Sequence, residues 1–157
     1  MFTKIDTIII KTDGAARGNP GPAGIGAVIS DEAGQILEEA AEYIGKATNN
    51  VAEYSALILG LKAAAGYEAE GVRIYLDSEL LVNQLNGAYK VKNTALKSLH
   101  AVAQGMIGQY RQASISHVPR AQNAAADRLA NEAIDKYESG GAGIRKVIDL
   151  PEQGSLF

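Results

Sequence analysis

The sequence contains no cysteine. That excludes a disulfide framework and any thiolate metal site, and it fits a reducing compartment, so a cytoplasmic location is expected. Histidine is scarce too, with only His100 and His117. A metal site in this chain must therefore rest on carboxylates, which suits a hard ion such as Mg²⁺ or Mn²⁺. No apolar run approaches the ~20 residues of a membrane span. The start, Met1-Phe2-Thr3-Lys4-Ile5-Asp6, lacks the charged-then-apolar plan of a signal peptide, so no membrane partner is expected. A basic excess is also missing, the net charge being −3. Taken alone, that argues against a polyanionic partner. The average misleads where several acids are metal ligands, so charge does not decide the question.

What is present is a chain of 157 residues with ordinary globular composition, enough for one domain with a real core. Ile8-Ile9-Ile10 lies within a first strand over residues 5–13, which ends on Asp13 and runs into a Gly- and Pro-rich loop. Residues 24–30 and 35–45 read as two further strands joined by a turn at Asp31-Glu32-Ala33-Gly34. The pattern then changes to a long apolar helix from Asn50 to about Ala65, ended by Gly66. Residues 72–77 form a fourth strand, again ending on an acid, Asp77. A short helix over 79–85, a link over 86–93 and a second helix over 94–111 follow. Residues 113–118 are a fifth strand, stopped by Pro119, and a last helix covers 123–137. The compact domain is expected over residues 1–138, with a flexible linker and tail over 139–157. The class is α/β: a mixed sheet with helices on its faces.

Four acids stand out by position. Asp13 and Asp77 each end a strand. The helix between strands three and four makes a crossover, which favours parallel pairing. If strand four pairs with strand one, both acids emerge at one strand-end rim, where open α/β sheets bind ligands. Glu53 lies on the packed face of its helix, where a carboxylate is costly unless paired or bound to metal. Asp127 stands in the first turns of the last helix. Each has a plain alternative. Asp13-Gly14 is a common turn, Asn50-x-x-Glu53 is a capping-box pattern, Asp77 can cap the following helix, and Asp127 can be a solvated acid beside Arg128. Jointly, four carboxylates on one edge match a pair of hard ions.

The stretches Thr12-Asp13-Gly14-Ala15-Ala16-Arg17-Gly18-Asn19-Pro20-Gly21, Thr48-Asn49-Asn50-Val51-Ala52-Glu53, Leu76-Asp77-Ser78 and Asn123-Ala124-Ala125-Ala126-Asp127-Arg128-Leu129-Ala130 resemble, in order and spacing, those of ribonuclease H of type 1. The resemblance implies a ribonuclease H-like fold: a five-stranded mixed sheet in strand order 3-2-1-4-5, with helices on both faces. It implies endonucleolytic hydrolysis of the RNA strand of RNA–DNA hybrids by two Mg²⁺ (or Mn²⁺) ions, leaving 3′-OH and 5′-phosphate ends. Asp13 matches the acid shared by both metals, Glu53 and Asp77 the ligands on the leaving-group side, and Asp127 the ligand on the attacking-water side. His117 matches the family's catalytic-loop histidine; its alternative is a strand-end His satisfied by backbone. Asn19, Asn49 and Asn50 match hybrid-contacting positions, whose amides suit 2′-OH recognition, the alternatives being turn and cap roles. Gly14, Thr48 and Ser78 are expected to take part in substrate binding, as is Arg120 through a phosphate, its alternative being an ordinary surface Arg. Glu79 departs from the Gln of several family members, which puts its contact in doubt. The link Tyr89-Lys90-Val91-Lys92-Asn93 is all that stands for the basic protrusion found in some members.

At the end of the chain, Gln153-Gly154-Ser155-Leu156-Phe157 resembles the short peptide by which replication proteins bind a sliding clamp. Gln153, Leu156 and Phe157 would be its anchors, the alternative being an apolar end packed on its own domain. A monomer is expected. Two rival readings remain from the residues. One is a nuclease of the same fold acting on double-stranded RNA or DNA junctions. The other is a catalytically silent nucleic-acid-binding module, which the retention of all four acids disfavours. A phosphate-cradling loop at residues 14–21 lacks the Lys-Ser/Thr signature.

Overall fold

A computed structural model describes residues 5–140 of the chain. The elements run β1 (Thr7–Ala16), β2 (Gly21–Ser30), β3 (Ile36–Ala47), α1 (Asn49–Ala65), β4 (Gly71–Leu76), α2 (Glu79–Leu85), α3 (Thr94–Ile107) and β5 (Gln112–His117). A 3₁₀ turn at Arg120–Asn123 leads into α4 (Ala124–Glu138). The sheet order is β3-β2-β1-β4-β5. β1–β2 and β2–β3 are antiparallel, while β1–β4 and β4–β5 are parallel. No helix among the described residues is long and apolar enough to cross a membrane.

β1 is central because its β-branched run is buried by helices on one face and by the sheet on both edges. Ile8 and Ile10 are fully buried, together with Ile74 of β4 and Leu57, Ile58 and Leu59 of α1. Each such side chain stabilises the fold by about 1.5–3 kcal/mol relative to exposure. α1 packs on β1 and β2 and against α3, and α4 packs on β2, β1 and β3. Gly26 lets α4 come close: a Cβ there would press on the Ala126 carbonyl and the Leu129 side chain.

Inside the helical layer, Tyr54 is fully buried and its hydroxyl donates to Gln84 Oε1 at 2.6 Å, tying α1 to α2. Tyr54→Phe keeps the ring and orphans the Gln84 oxygen, so the variant should lose about 1–3 kcal/mol. The urea midpoint checks this; an unchanged midpoint would mean that water already competes for that oxygen.

Three boundaries differ by three residues or more from the sequence-based expectation. β1 does not stop at Asp13 but continues to Ala16, because Gly14-Ala15-Ala16 pairs with Ala23-Gly24-Ile25 of β2. Residues read as turn chemistry are ladder residues. β2 correspondingly starts at Gly21, not Gly24. α3 ends at Ile107, where Gly108 caps it and its N–H bonds back to Gln104 and Met106, rather than running to Arg111. The clamp-binding expectation for Gln153, Leu156 and Phe157 falls outside the described residues.

Candidate active site at the end of the parallel ladder

β4 accompanies β1 only as far as Lys11↔Tyr75, while β2 stays beside it to Ala16↔Ala23. Past Lys11, one edge of β1 has no strand next to it. Asp13 sits there, 7% exposed. Asp77 arrives at the same level because it directly follows the last residue of β4. Glu53 arrives from the start of α1, which Gly14 allows to approach: a Cβ on Gly14 would collide with the Ala52 carbonyl and the Glu53 nitrogen.

Asp13, Glu53 and Asp77 each present an oxygen, and these atoms all lie within 4.8 Å of one another. Between them, with Thr12, Ser78 and Leu81, is a space of about 10 Å³, the size that one water-sized particle needs. Burial pushes the Asp13 carboxyl from 3.8 up to about 8. Asp77, a hydrogen bond with Asp127, and Glu53 push the same way. Burial raises Glu53 from 4.5 to about 7, the Ser78 hydroxyl pulls it back, Asp77 raises it, and the Arg120 charge lowers it. Three acids this close repel when ionised, and a cation among them relieves the repulsion. An all-oxygen, all-carboxylate donor set around a water-sized space fits a hard divalent ion. Asp127, in the first turn of α4, stands outside the three-acid group but close enough to raise the Asp13 carboxyl. Asp13 is thus the acid on which the other three all act.

The capping alternatives resolve in favour of neighbours. Thr48 caps α1, its hydroxyl accepting from the Val51 N–H at 3.2 Å, so no box forms between Asn50 and Glu53. Ser78, not Asp77, caps α2, accepting from the Leu81 N–H at 3.3 Å. Both acids are thereby left for other work. The Asn19 side-chain oxygen accepts from the Asn49 N–H, and the Asn49 side-chain oxygen from the Ala16 N–H, both at 3.1 Å. The oxygen end of each amide is thus used in the fold. Asn19, Thr48 and Asn50 line an open groove of about 690 Å³ with Lys46, Asn93 and Thr94. Its lining includes Asn50 and Val51, which precede Glu53 at the start of α1. His117 is the last residue of β5, exposed and opposite Leu76, and stands outside the three-acid group. Arg120 opens the 3₁₀ turn, close enough for its charge to act on Glu53. His100 is a packing residue of α3, its Nε2 3.2 Å from the Gln84 carbonyl oxygen.

One residue of the site carried no assignment from sequence. Asn123, 1% exposed, donates from Nδ2 to the Thr12 carbonyl at 2.9 Å and to Asp77 Oδ2 at 3.1 Å. It fills the place where β4 has stopped, satisfying a β1 carbonyl and steadying an acid together. An Asn opening a helix reads as a cap, but here the side chain makes no cap bond.

The family model described as Reverse transcriptase-like matches residues 11–133. The chain is 46% identical over 136 residues to Bifunctional protein Rv2228c of Mycobacterium tuberculosis, covering 86% of this chain and 37% of that protein. It is 46% identical over 123 residues to Ribonuclease HI of Halobacterium salinarum, covering 78% of this chain and 62% of that protein. The chain thus spans less than two thirds of the length of these relatives. Among solved structures, LC11-RNase H1 in complex with an RNA/DNA hybrid superposes with a TM-score of 0.80 at 48% identity, covering 83% of this chain and 99% of that one.

Proposed function

Because the chain belongs to the ribonuclease HI family, we propose that it hydrolyses the RNA strand of RNA–DNA hybrids, with residues 1–138 as the catalytic domain. The observation that carries this is the grouping of Asp13, Glu53 and Asp77 in the gap beside β1, with Asp127 close enough to act on Asp13. Two Mg²⁺ or Mn²⁺ ions held there would stabilise the attacking and leaving oxygens of an in-line displacement, giving 3′-OH and 5′-phosphate ends.

The chain's own residues divide the work. Asp13 would be the common ligand, because it stands with Glu53 and Asp77 and is also the acid on which Asp127 acts. Ser78 and Asn123 orient Glu53 and Asp77 by hydrogen bonds. Asn19 and Asn49, with their oxygens engaged in the fold, offer NH₂ groups to a minor groove, and Asn50 and Thr48 extend that surface. A 2′-OH both donates and accepts, so amides read it and reject a strand that lacks it. Gly14 keeps the floor of the site thin. Arg120, close enough for its charge to act on Glu53, would offer a donor to a phosphate of the substrate. His117, exposed at the rim, is placed to exchange protons with solvent, and its test is His117→Ala against the pH profile of cleavage.

The deciding experiment offers labelled RNA–DNA hybrid, double-stranded RNA and DNA duplex to the protein with Mg²⁺, Mn²⁺ or EDTA. Cleavage of hybrid alone, lost in EDTA, is expected. Cleavage that persists in EDTA removes the metals from the mechanism, and equal cleavage of double-stranded RNA shifts the assignment to a broader duplex ribonuclease.

A further inference from the structure

Asp127 is the one acid of the four that stands outside the three-acid group, on a helix, with the like-charged Asp13 beside it. Asp127 is only partly buried, so its carboxylate has room to turn towards solvent. Asn131, one turn further along α4, prevents this: its Nδ2 donates to the Asp127 carbonyl oxygen at 3.0 Å and to Asp127 Oδ1 at 3.3 Å. An Asn amide has a donor end and an acceptor end, so something must decide which end faces the acid. Arg17 decides it. Its guanidinium is anchored by Asp135 at 2.7 Å and Glu138 at 3.0 Å. From there Nη2 reaches the Asn131 side-chain oxygen at 3.4 Å and its carbonyl oxygen at 3.5 Å. Arginine can only donate. The Asn131 oxygen must therefore face Arg17 and its NH₂ must face Asp127.

We propose that Asn131, backed by Arg17, is a positioning residue that holds the Asp127 carboxylate beside Asp13 and so sets the affinity for the divalent cation on that side of the site. Arg17 directly follows β1 and lies two residues before Asn19, so the same loop braces both the groove and the fourth acid. The inference rests on the metal-dependent nuclease reading above.

The test compares Asn131→Ala, Arg17→Ala and Arg17→Lys with wild type and with Glu132→Ala, a control whose side chain bonds to Arg128 on the same helix. Mn²⁺ binding is followed by calorimetry at a temperature where melting curves show every variant folded, and hybrid cleavage is followed against Mn²⁺ concentration. Asn131→Ala should raise the Mn²⁺ needed for half-maximal cleavage by ~10-fold or more, the range seen when a partner of a metal ligand is lost. The weaker calorimetric binding event should fade, while the tighter event and the KM for hybrid stay as in wild type. Arg17→Ala should follow the same direction, and Arg17→Lys, which keeps a donor, should recover part of the loss. Wild-type metal dependence in Asn131→Ala overturns the proposal, as does an equal loss in Glu132→Ala or a loss confined to the tighter event. A wild-type protein that cleaves hybrid without needing metal removes the nuclease reading and this proposal together, a result distinguishable because it appears before any variant is made.

Discussion

Asp13→Asn should abolish hybrid cleavage, by a factor on the order of 10³ or more as for other groups that stabilise transition-state charge, and should make the metal-free protein more stable. The two effects have one cause. Burial and its acidic neighbours raise the Asp13 carboxyl from 3.8 to about 8, so the folded state favours the protonated form. The folded state therefore binds more protons than the unfolded chain between those values. Stability is highest below about pH 4 as far as this group is concerned, and falls as pH rises towards about 8. At ~1.4 kcal/mol per pKa unit the loss is several kcal/mol at most. Glu53, raised from 4.5 to about 7, acts in the same direction. The melting temperature of the metal-free protein should thus decline from pH 5 to pH 9, Mg²⁺ should recover it most at the alkaline end, and Asp13→Asn should flatten the decline. A variant no more stable than wild type at pH 9 without metal would show that the acids are already relieved by solvent.

Gly14→Ala is the second large effect. The added methyl has no space, since it meets the backbone of Ala52 and Glu53 rather than a flexible side chain. Either β1 or the start of α1 must move. Overpacking of this kind costs ~1–3 kcal/mol and sometimes more. Either element carries an acid of the site, Asp13 on β1 or Glu53 on α1, so cleavage should fall further than the folded fraction does. Gly34→Ala is the comparison. Gly34 has φ +88 but nothing near its Cβ position, so that variant should lose some stability and keep its rate per folded molecule. If both variants lose activity only in step with unfolding, the close approach at Gly14 has no bearing on the site.

The four acids were legible because each stands beside a local signal: an apolar run ending at Asp13 and at Asp77, and a helix opening near Glu53 and Asp127. The sheet order followed from the crossover together with the family resemblance. The course of β1 past Asp13 was not legible, since Gly14-Ala15-Ala16 has the composition of a turn and becomes strand only through its pairing with β2. Asn123 and the Arg17–Asn131 pair were hidden for another reason. Their bonds join residues 111 and 114 positions apart, and no periodicity or propensity along the chain encodes such a contact. The cap positions of Thr48 and Ser78 fall between the two cases: both residues favour caps, but Asn50 and Asp77 offer competing choices close by.

The position of α4 at the end of the described chain has a consequence for synthesis. Emerging from a ribosome in order, the polypeptide brings out Asp13, Glu53 and Asp77 well before Asp127. The sheet face that α4 covers stays bare for the same interval, since Ala126, Leu129 and Ala130 are not yet available to close over Gly26. A nascent chain therefore carries an incomplete set of acids on an incomplete core, and domains settle as units once their last element is in reach. The helix that covers that face is also the one that brings Asp127 towards the other acids, so one described element adds to the core and to the acid cluster together.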